Sequence, residues 1–280
     1  MDGRIPFASA CVLFLTCAGT GSAQRQSPPF RLDKAENKTV LLFTPHPDDD
    51  TFCCAGTLAL LARQHNNIHI VLYTNDDKGS YDPEMTSQRL AQIRSAEEEE
   101  ACRIIGIPKE NIHWFQFHDG MLEYANPLDL VEQATKVLRT YKPDIVMSID
   151  PGSSYVRWHK TDHRMAALNT LDAVRAAEFW LYFPNQRLEQ HLEPYAVPVT
   201  YFYYTLPQDA NYWVNIDSVA QLKLEALSKH VSQFEPAMHK YRPDWDPADL
   251  ARLKGMLSLQ PKKDGHYVEP FRRAKSFNEM

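Results

Sequence analysis

"KTVLLFTPHPDDDTFCCAGTLALLARQH", Lys38 to His65, holds the unit from which the fold is built. The run "TVLLFT" is continuously apolar and β-branched, as expected of a strand buried on both faces. "FCCAGTLALLARQH" has helical periodicity. Between them two prolines punctuate a turn that carries His46 and three consecutive aspartates, Asp48, Asp49 and Asp50. Working outward, "IHIVLYT" (68–74), "IHWFQF" (112–117) and "DIVMSI" (144–149) are further strands. Helices are expected over "TSQRLAQIRSAEEEEACRIIGI" (86–107, closed by Gly106), "NPLDLVEQATKVLRTY" (126–141) and "HRMAALNTLDAVRAAEF" (163–179). An Asn-Pro pair opens the second of these and Lys142-Pro143 closes it. This alternation predicts an α/β fold: a Rossmann-like, mostly parallel sheet flanked by helices on both faces. The last hundred residues are less regular. "PVTYFYYT" and "YWVNI" read as strands, "SVAQLKLEALSKHVSQF" as one helix from Ser218, and "DPADLARLKGML" as another. All are expected to extend the same domain, residues 38–280.

The chain has 280 residues and a formal net charge of −6, which gives no indication of a nucleic-acid or anionic-membrane partner. "FASACVLFLTCAG" is an apolar run too short for a comfortable membrane span, followed by the small residues Gly21, Ser22 and Ala23. Residues 1–23 are therefore expected to be a signal peptide, with a secreted or periplasmic mature chain starting near Gln24. Phe14-Leu15-Thr16 is a poor lead-in for a lipid anchor at Cys17. Residues 24–37 read as a polar linker. Cys53, Cys54 and Cys102 remain, an odd number that offers no disulfide framework; they are expected to be small buried apolar residues.

In open α/β sheets, ligands sit outside the carboxyl ends of the strands. Clusters of chemically useful residues lie just past each predicted strand: His46 and Asp48–Asp50 after the first, Asn75–Lys78 after the second, His118 and Asp119 after the third. Asp150, His159, Asp162 and His163 follow the fourth. Two imidazoles and one carboxylate make an open zinc site, and a divalent cation would offset three crowded aspartates. His46 and His163 can supply the nitrogens, and Asp48 or Asp49 the oxygen. The bland reading is a polar turn with proline setting φ.

"PHPDDDTFCCAGTLA", "IRSAEEEEACRIIGI", "FHDG", "YKPDIVMSIDP" and "HKTDHRMAAL" together resemble the PIG-L/LmbE-like family of zinc-dependent N-acetylglucosaminyl deacetylases, in order from about Thr39 to Leu168. "KLEALSKHVSQ" and "DGHYVEPFRRA" extend the resemblance more weakly. It implies that His46, Asp49 and His163 bind zinc and that Asp48 is the general base. It places Arg94 and Asp119 near a small-molecule or glycan substrate. The chain departs from the family pattern at Asp50, where relatives carry Glu. It also departs at "HKTDH", one residue longer than H-x-x-H, so that His159 stands four before the ligand rather than three. "TNDDKGS" replaces a Gly-containing turn. His159 is the candidate helper histidine, and Asp162 is either a carboxylate that orients an imidazole or a helix cap.

The expected activity is hydrolysis of an N-acetyl group from an N-acetylglucosamine-type sugar or conjugate. The alternatives are a zinc amidase for another small amide conjugate and a non-catalytic carbohydrate-binding protein. Glu97–Glu100 read as a solvated helix face, "YFYY" (201–204) as core, and His230 and Tyr267–Glu269 as lining or bracing the pocket.

Overall fold

The computed structural model describes residues 31–152, 161–234 and 236–274. Its strands are β1 (Thr39–Thr44), β2 (Asn67–Thr74), β3 (Ile112–Phe117), β4 (Ile145–Ile149), β5 (Thr200–Tyr203), β6 (Tyr212–Asn215), β7 (Lys262–Lys263) and β8 (His266–Ala274). Its helices are α1 (Asp49–Arg63), α2 (Ser87–Ile105), α3 (Pro127–Tyr141), α4 (Thr161–Glu178), α5 (Pro184–Leu188), α6 (Ala220–Leu227) and α7 (Pro247–Gly255). The sheet runs β3-β2-β1-β4-β5-β8-β6, with β7 on β8. β1 to β5 are mutually parallel, and β8 joins antiparallel to β5.

Alternation along β1 explains the sandwich. Val40 and Leu42 face α1 and α2, packing with Cys54, Leu58 and Ile105. Leu41 and Phe43 face the other way, into Leu130, Ala134 and Ala173 of α3 and α4. Both sides are apolar because both are covered, as predicted. Local signals set the ends. Thr86 accepts the Arg89 N–H, Asn126 accepts the Leu128 N–H, and Gly106 adopts φ 91° to close α2.

Three expectations need correction. The end of the expected linker packs on the sheet: Leu32 and Ala35 are buried, and the Leu32 N–H donates to the Tyr201 hydroxyl. Cys53 and Cys54 are joined to each other by a disulfide, whereas Cys102 is free and buried. An odd count leaves one cysteine over, and here the two neighbours pair and Cys102 is the one left. Finally, the helix expected from Ser218 to Phe234 breaks after Leu227. His230 takes φ −81°, ψ 54°, and its ring turns inward to Thr51 Oγ1 at 3.2 Å. β8, not expected as a strand, carries Glu269 beneath α1. Among the described residues, no helix is long and apolar enough to cross a membrane. The expected signal peptide and His159 lie outside the described residues.

Candidate active site

The strand order reverses between β1 and β4, and crevices open at the carboxyl ends of such neighbours. Pro45 and Pro47 turn the chain out of β1 there. The segment delivers His46 into the crevice, and Asp49 opens α1. The first turn of α4 brings Asp162 and His163 to the same place.

His46 is the hub. Its Nδ1 lies 3.1 Å from Asp49 Oδ2, and its Nε2 lies 3.1 Å from Asp119 Oδ1 and 3.2 Å from Asp162 Oδ2. His163 Nε2 lies 3.2 Å from the same Asp49 oxygen. Burial alone would strip a proton from His46. Asp119, Asp162 and Asp49 outweigh it and hold the imidazole well above its usual pKa. Against its own burial, Asp49 is held well below the usual carboxylate range by His163 and His46.

The donor atoms of His46, Asp49 and His163 all lie within 4.8 Å of one another, as do those of His46, Asp119 and Asp162. A buried pair of imidazoles converging on one carboxylate fits a divalent cation of the zinc type. The neighbours are fixed in turn. Asp162 is buried and accepts the N–H groups of Gly120 (2.6 Å) and Leu122 (3.0 Å), tying the loop after β3 to α4. The Tyr204 hydroxyl donates to Asp49 Oδ1 at 3.1 Å, while its ring stacks on His163.

A cavity of about 360 Å³ opens onto this cluster, lined by His46, Asp76, Arg94, Asp119, Asp162 and Gln233. Arg94 is buried and locked. It pairs with Asp76 at 2.6 Å and donates to the carbonyls of Asp76 (2.8 Å) and Gly79 (2.7 Å). Gln233 donates to Asp76 Oδ2 and to the Pro47 carbonyl. Burial holds Asp76 above the usual carboxylate range despite Arg94. Asp48 does not line this cavity. It is half-buried just before α1, with φ 109°.

Asp50 occupies a different environment from its neighbours. It is fully buried with Glu98 and Cys102, and burial raises its carboxyl to about 7. Glu98 lies well above its usual range through burial and the charge of Asp50. The solvated-face expectation for Glu97–Glu100 is thus corrected. Leu90, Arg94, Glu98 and Ile105 are the buried stripe of α2, and Glu97 accepts from both Ser232 N and Oγ.

The structure brings His46, Asp49, Asp119, Asp162 and His163 together and sets Arg94 in the wall of the same cavity, whereas Asp48 stands beside the cluster without lining that cavity. Sequence reasoning placed Asp76 in the cluster past β2 without giving it a role, and missed Gln233 as a lining residue and Tyr204 as a partner of Asp49. Tyr204 stands one residue past β5, so the carboxyl-end rule could have flagged it.

The chain is 31% identical over 246 residues to the diacetylchitobiose deacetylase of Thermococcus kodakarensis, covering 87% of this chain and 86% of that one. It is 26% identical to a probable N-acetyl-α-D-glucosaminyl L-malate deacetylase 2 of Bacillus anthracis, over 83% and 96% of the two chains. Its fold matches the N,N'-diacetylchitobiose deacetylase of Pyrococcus horikoshii, complexed with its inhibitor MPG, with a TM-score of 0.72 and 30% identity. That match covers 85% of this chain and 84% of the other. The family model described as PIG-L, GlcNAc-PI de-N-acetylase, matches residues 41–174, which contain every residue assigned above to the metal-type cluster. The chain belongs to the PIG-L family of N-deacetylases.

Proposed function

We propose that this protein is a zinc-dependent hydrolase that removes the acetyl group from an N-acetylglucosamine-type sugar or conjugate. The observation that carries this reading is the convergence of His46, Asp49 and His163 at the mouth of a cavity large enough for a sugar ring, with a strained aspartate beside them. The three similar proteins named above carry deacetylase names, diacetylchitobiose deacetylase twice and N-acetyl-α-D-glucosaminyl L-malate deacetylase once, and these support it.

His46, Asp49 and His163 would hold the cation. When bound, it supplies Lewis acidity, which makes water a competent nucleophile near neutral pH and polarises an amide carbonyl. Asp48 takes the proton that water gives up as its oxygen bonds to the acetyl carbon. Asp48 then returns that proton to nitrogen as the carbon–nitrogen bond breaks, leaving acetate and a free amine. Asp162 and Tyr204 keep His46 and Asp49 in place. Asp119 and Arg94, the latter through its grip on Asp76 and Gly79, shape the side of the cavity where sugar hydroxyls would lie. His159 is the candidate for stabilising the developing oxyanion. The apolar run before Gln24 supports export, which N-terminal sequencing of the mature protein checks by finding a start near Gln24.

The test is amine release from a panel of N-acetylated sugars and conjugates by the zinc-loaded protein, alongside metal analysis of variants. Turnover of an acetamido sugar, lost in Asp48→Asn with zinc retained, is the expected result. Stoichiometric zinc in a His46→Ala/His163→Ala double variant would overturn the metal assignment. Turnover confined to amides of another acid would move the assignment to a different amidase.

A further inference from the structure

α1 and α2 pack side by side on one face of the sheet, and the seam between them holds a second group of metal-type donors. Asp50 lies in the first turn of α1, immediately after Asp49, yet its carboxylate meets Glu98 and Cys102 of α2 rather than the histidines. Glu98 and Cys102 are four residues apart, so they share one face of that helix. One donor atom from each of the three lies within 4.8 Å of the others, and Cys102 Sγ stands 3.4 Å from Glu98 Oε1.

All three side chains are sealed from water, each at 0% exposure. A buried carboxylate ordinarily collects hydrogen bonds or a cation. Here both oxygens of Asp50, and Oε2 of Glu98, have no hydrogen-bond partner. The buried basic residues of this region are committed elsewhere, Arg94 to Asp76 and Lys223 to Glu269. His230 Nε2 comes within 3.9 Å of Glu98 Oε2, but burial keeps that imidazole uncharged. Three bare acceptor atoms and a thiol therefore converge without a compensating positive charge. Each unmet atom carries a desolvation cost, and one divalent cation would meet them all.

The donor set names the ion. Magnesium and calcium take oxygen ligands, whereas sulfur beside oxygen selects a zinc-type ion. Zinc–sulfur and zinc–oxygen bond lengths put neighbouring ligands of a tetrahedral site about 3.3–3.8 Å apart. The three donors reach that spacing by closing slightly inward. Asp50, with both oxygens bare, can supply two of the four positions.

We propose that Asp50, Glu98 and Cys102 form a second zinc site, structural rather than catalytic, which staples α1 to α2. None of the three lines the catalytic crevice. Because Asp50 follows Asp49, an ion held here also fixes the helix start that delivers Asp49 to the catalytic cluster.

Cobalt is the probe, because a thiolate bound to it absorbs intensely in the near ultraviolet and nitrogen or oxygen ligands do not. The full chain is produced in cobalt-supplemented medium, freed of loosely held metal by gel filtration, and measured for metal content and absorption. Wild type should carry two cobalt ions per chain and show the thiolate band. Cys102→Ser should lose the band and one ion. His163→Ala should lose the other ion and keep the band. Cys53→Ala/Cys54→Ala should keep the band, because those sulfurs are bonded to each other. A wild type without the band overturns the site whatever its metal content, as does a band that survives in Cys102→Ser. Where Cys102→Ser does not fold, the wild-type spectrum and His163→Ala still decide. One ion with the band, unaffected by His163→Ala, keeps this site and sinks the catalytic metal. One ion without the band, lost in His163→Ala, does the reverse.

Discussion

Asp48 holds φ at 109° and ψ at −36°, a conformation that an L residue adopts only when its surroundings enforce it. Strain of this kind amounts to about 1–3 kcal/mol. Asp48→Gly removes both the strain and the base. It should raise the melting temperature while lowering turnover by roughly 10²–10⁴-fold. Asp48→Asn should lose the same activity with no gain in melting temperature. Thermal denaturation of the two variants in parallel decides it, and equal melting temperatures would mean that the turn is not strained in solution. A second expectation follows from His46, which the surrounding carboxylates keep protonated in the metal-free geometry. Cation binding competes with protons for that imidazole, so affinity should weaken as pH falls, with proton release on metal binding. Calorimetric titration in buffers of different ionisation enthalpy measures this directly. Release of no proton would sink the assignment of His46 as a ligand. At this scale the positions past the strand ends pointed to His46, His163 and either Asp48 or Asp49, and only the resemblance to the family chose Asp49. Tyr204 and Glu98 were not legible. A tyrosine in an aromatic strand looks like core, and a glutamate in a run of four looks solvated until its helical phase with Leu90, Arg94 and Ile105 is followed.

α1 presents Asp49 to the site, and its own backbone is held from outside. The Glu269 carboxylate on β8 accepts the N–H groups of Gly56 (3.0 Å) and Thr57 (2.7 Å). Lys223 on α6 donates to the Phe52 carbonyl and to Glu269, both at 2.7 Å. Lys223 and Glu269 are each about 1% exposed, so neither charge has water to fall back on. Glu269→Ala strands a buried lysine and frees two helical N–H groups. It should destabilise by about 3–5 kcal/mol, read from chemical denaturation, with weaker metal retention because Asp49 rides on the same helix. Loss of less than 1 kcal/mol would show that the pair is dispensable. Gly56 sits where a Cβ would come within 2.7 Å of Ile216 Cγ2, so Gly56→Ala should itself cost about 1–3 kcal/mol. The sequence reading marked Glu269 as lining or bracing the pocket, but not what it braces. Periodicity identified α1 and suggested α6, whereas β8 lies antiparallel at the far side of the sheet, and no local signal pairs its glutamate with Lys223 or with the α1 backbone. The break after Leu227 was hidden for the same reason. "KHVSQ" is acceptable helix sequence, and only the tertiary pull of His230 to Thr51 and of Gln233 to Pro47 ends the helix there.

Across the whole molecule, the readable feature was alternation of apolar strands with amphipathic helices. That pattern dictates a covered parallel sheet and therefore a site at its carboxyl rim. Four residues of the rim, Asp48, Asp76, Gln116 and Tyr204, each at or just past the end of a different parallel strand, take positive φ. Such turns depend on side chains from distant elements, which no local pattern encodes. Beneath the rim, buried titratable groups make stability respond to pH with opposing signs. His230 is fully buried, and burial first and Arg94 second lower its pKa to about 3. Unfolded, it would take up a proton below about pH 6.5. Between those values the unfolded chain binds the extra proton, so His230 subtracts stability as pH falls through that window and contributes nothing above it. Glu97 acts oppositely. Burial raises it to about 7, so the folded chain binds more protons between about pH 4.3 and 7. Its contribution is complete below that window and is lost as pH rises through it. The wild-type profile is a resultant of both, and single substitutions should separate them. Relative to wild type, His230→Gln should gain stability as pH is lowered from 7 towards 4.5, and Glu97→Gln should lose it, each by at most about 1.4 kcal/mol per pH unit. Denaturant midpoints across that range give both slopes. Parallel slopes for the two variants would show that neither group titrates as its burial dictates, whereas slopes of opposite sign would place the two protons on His230 and Glu97.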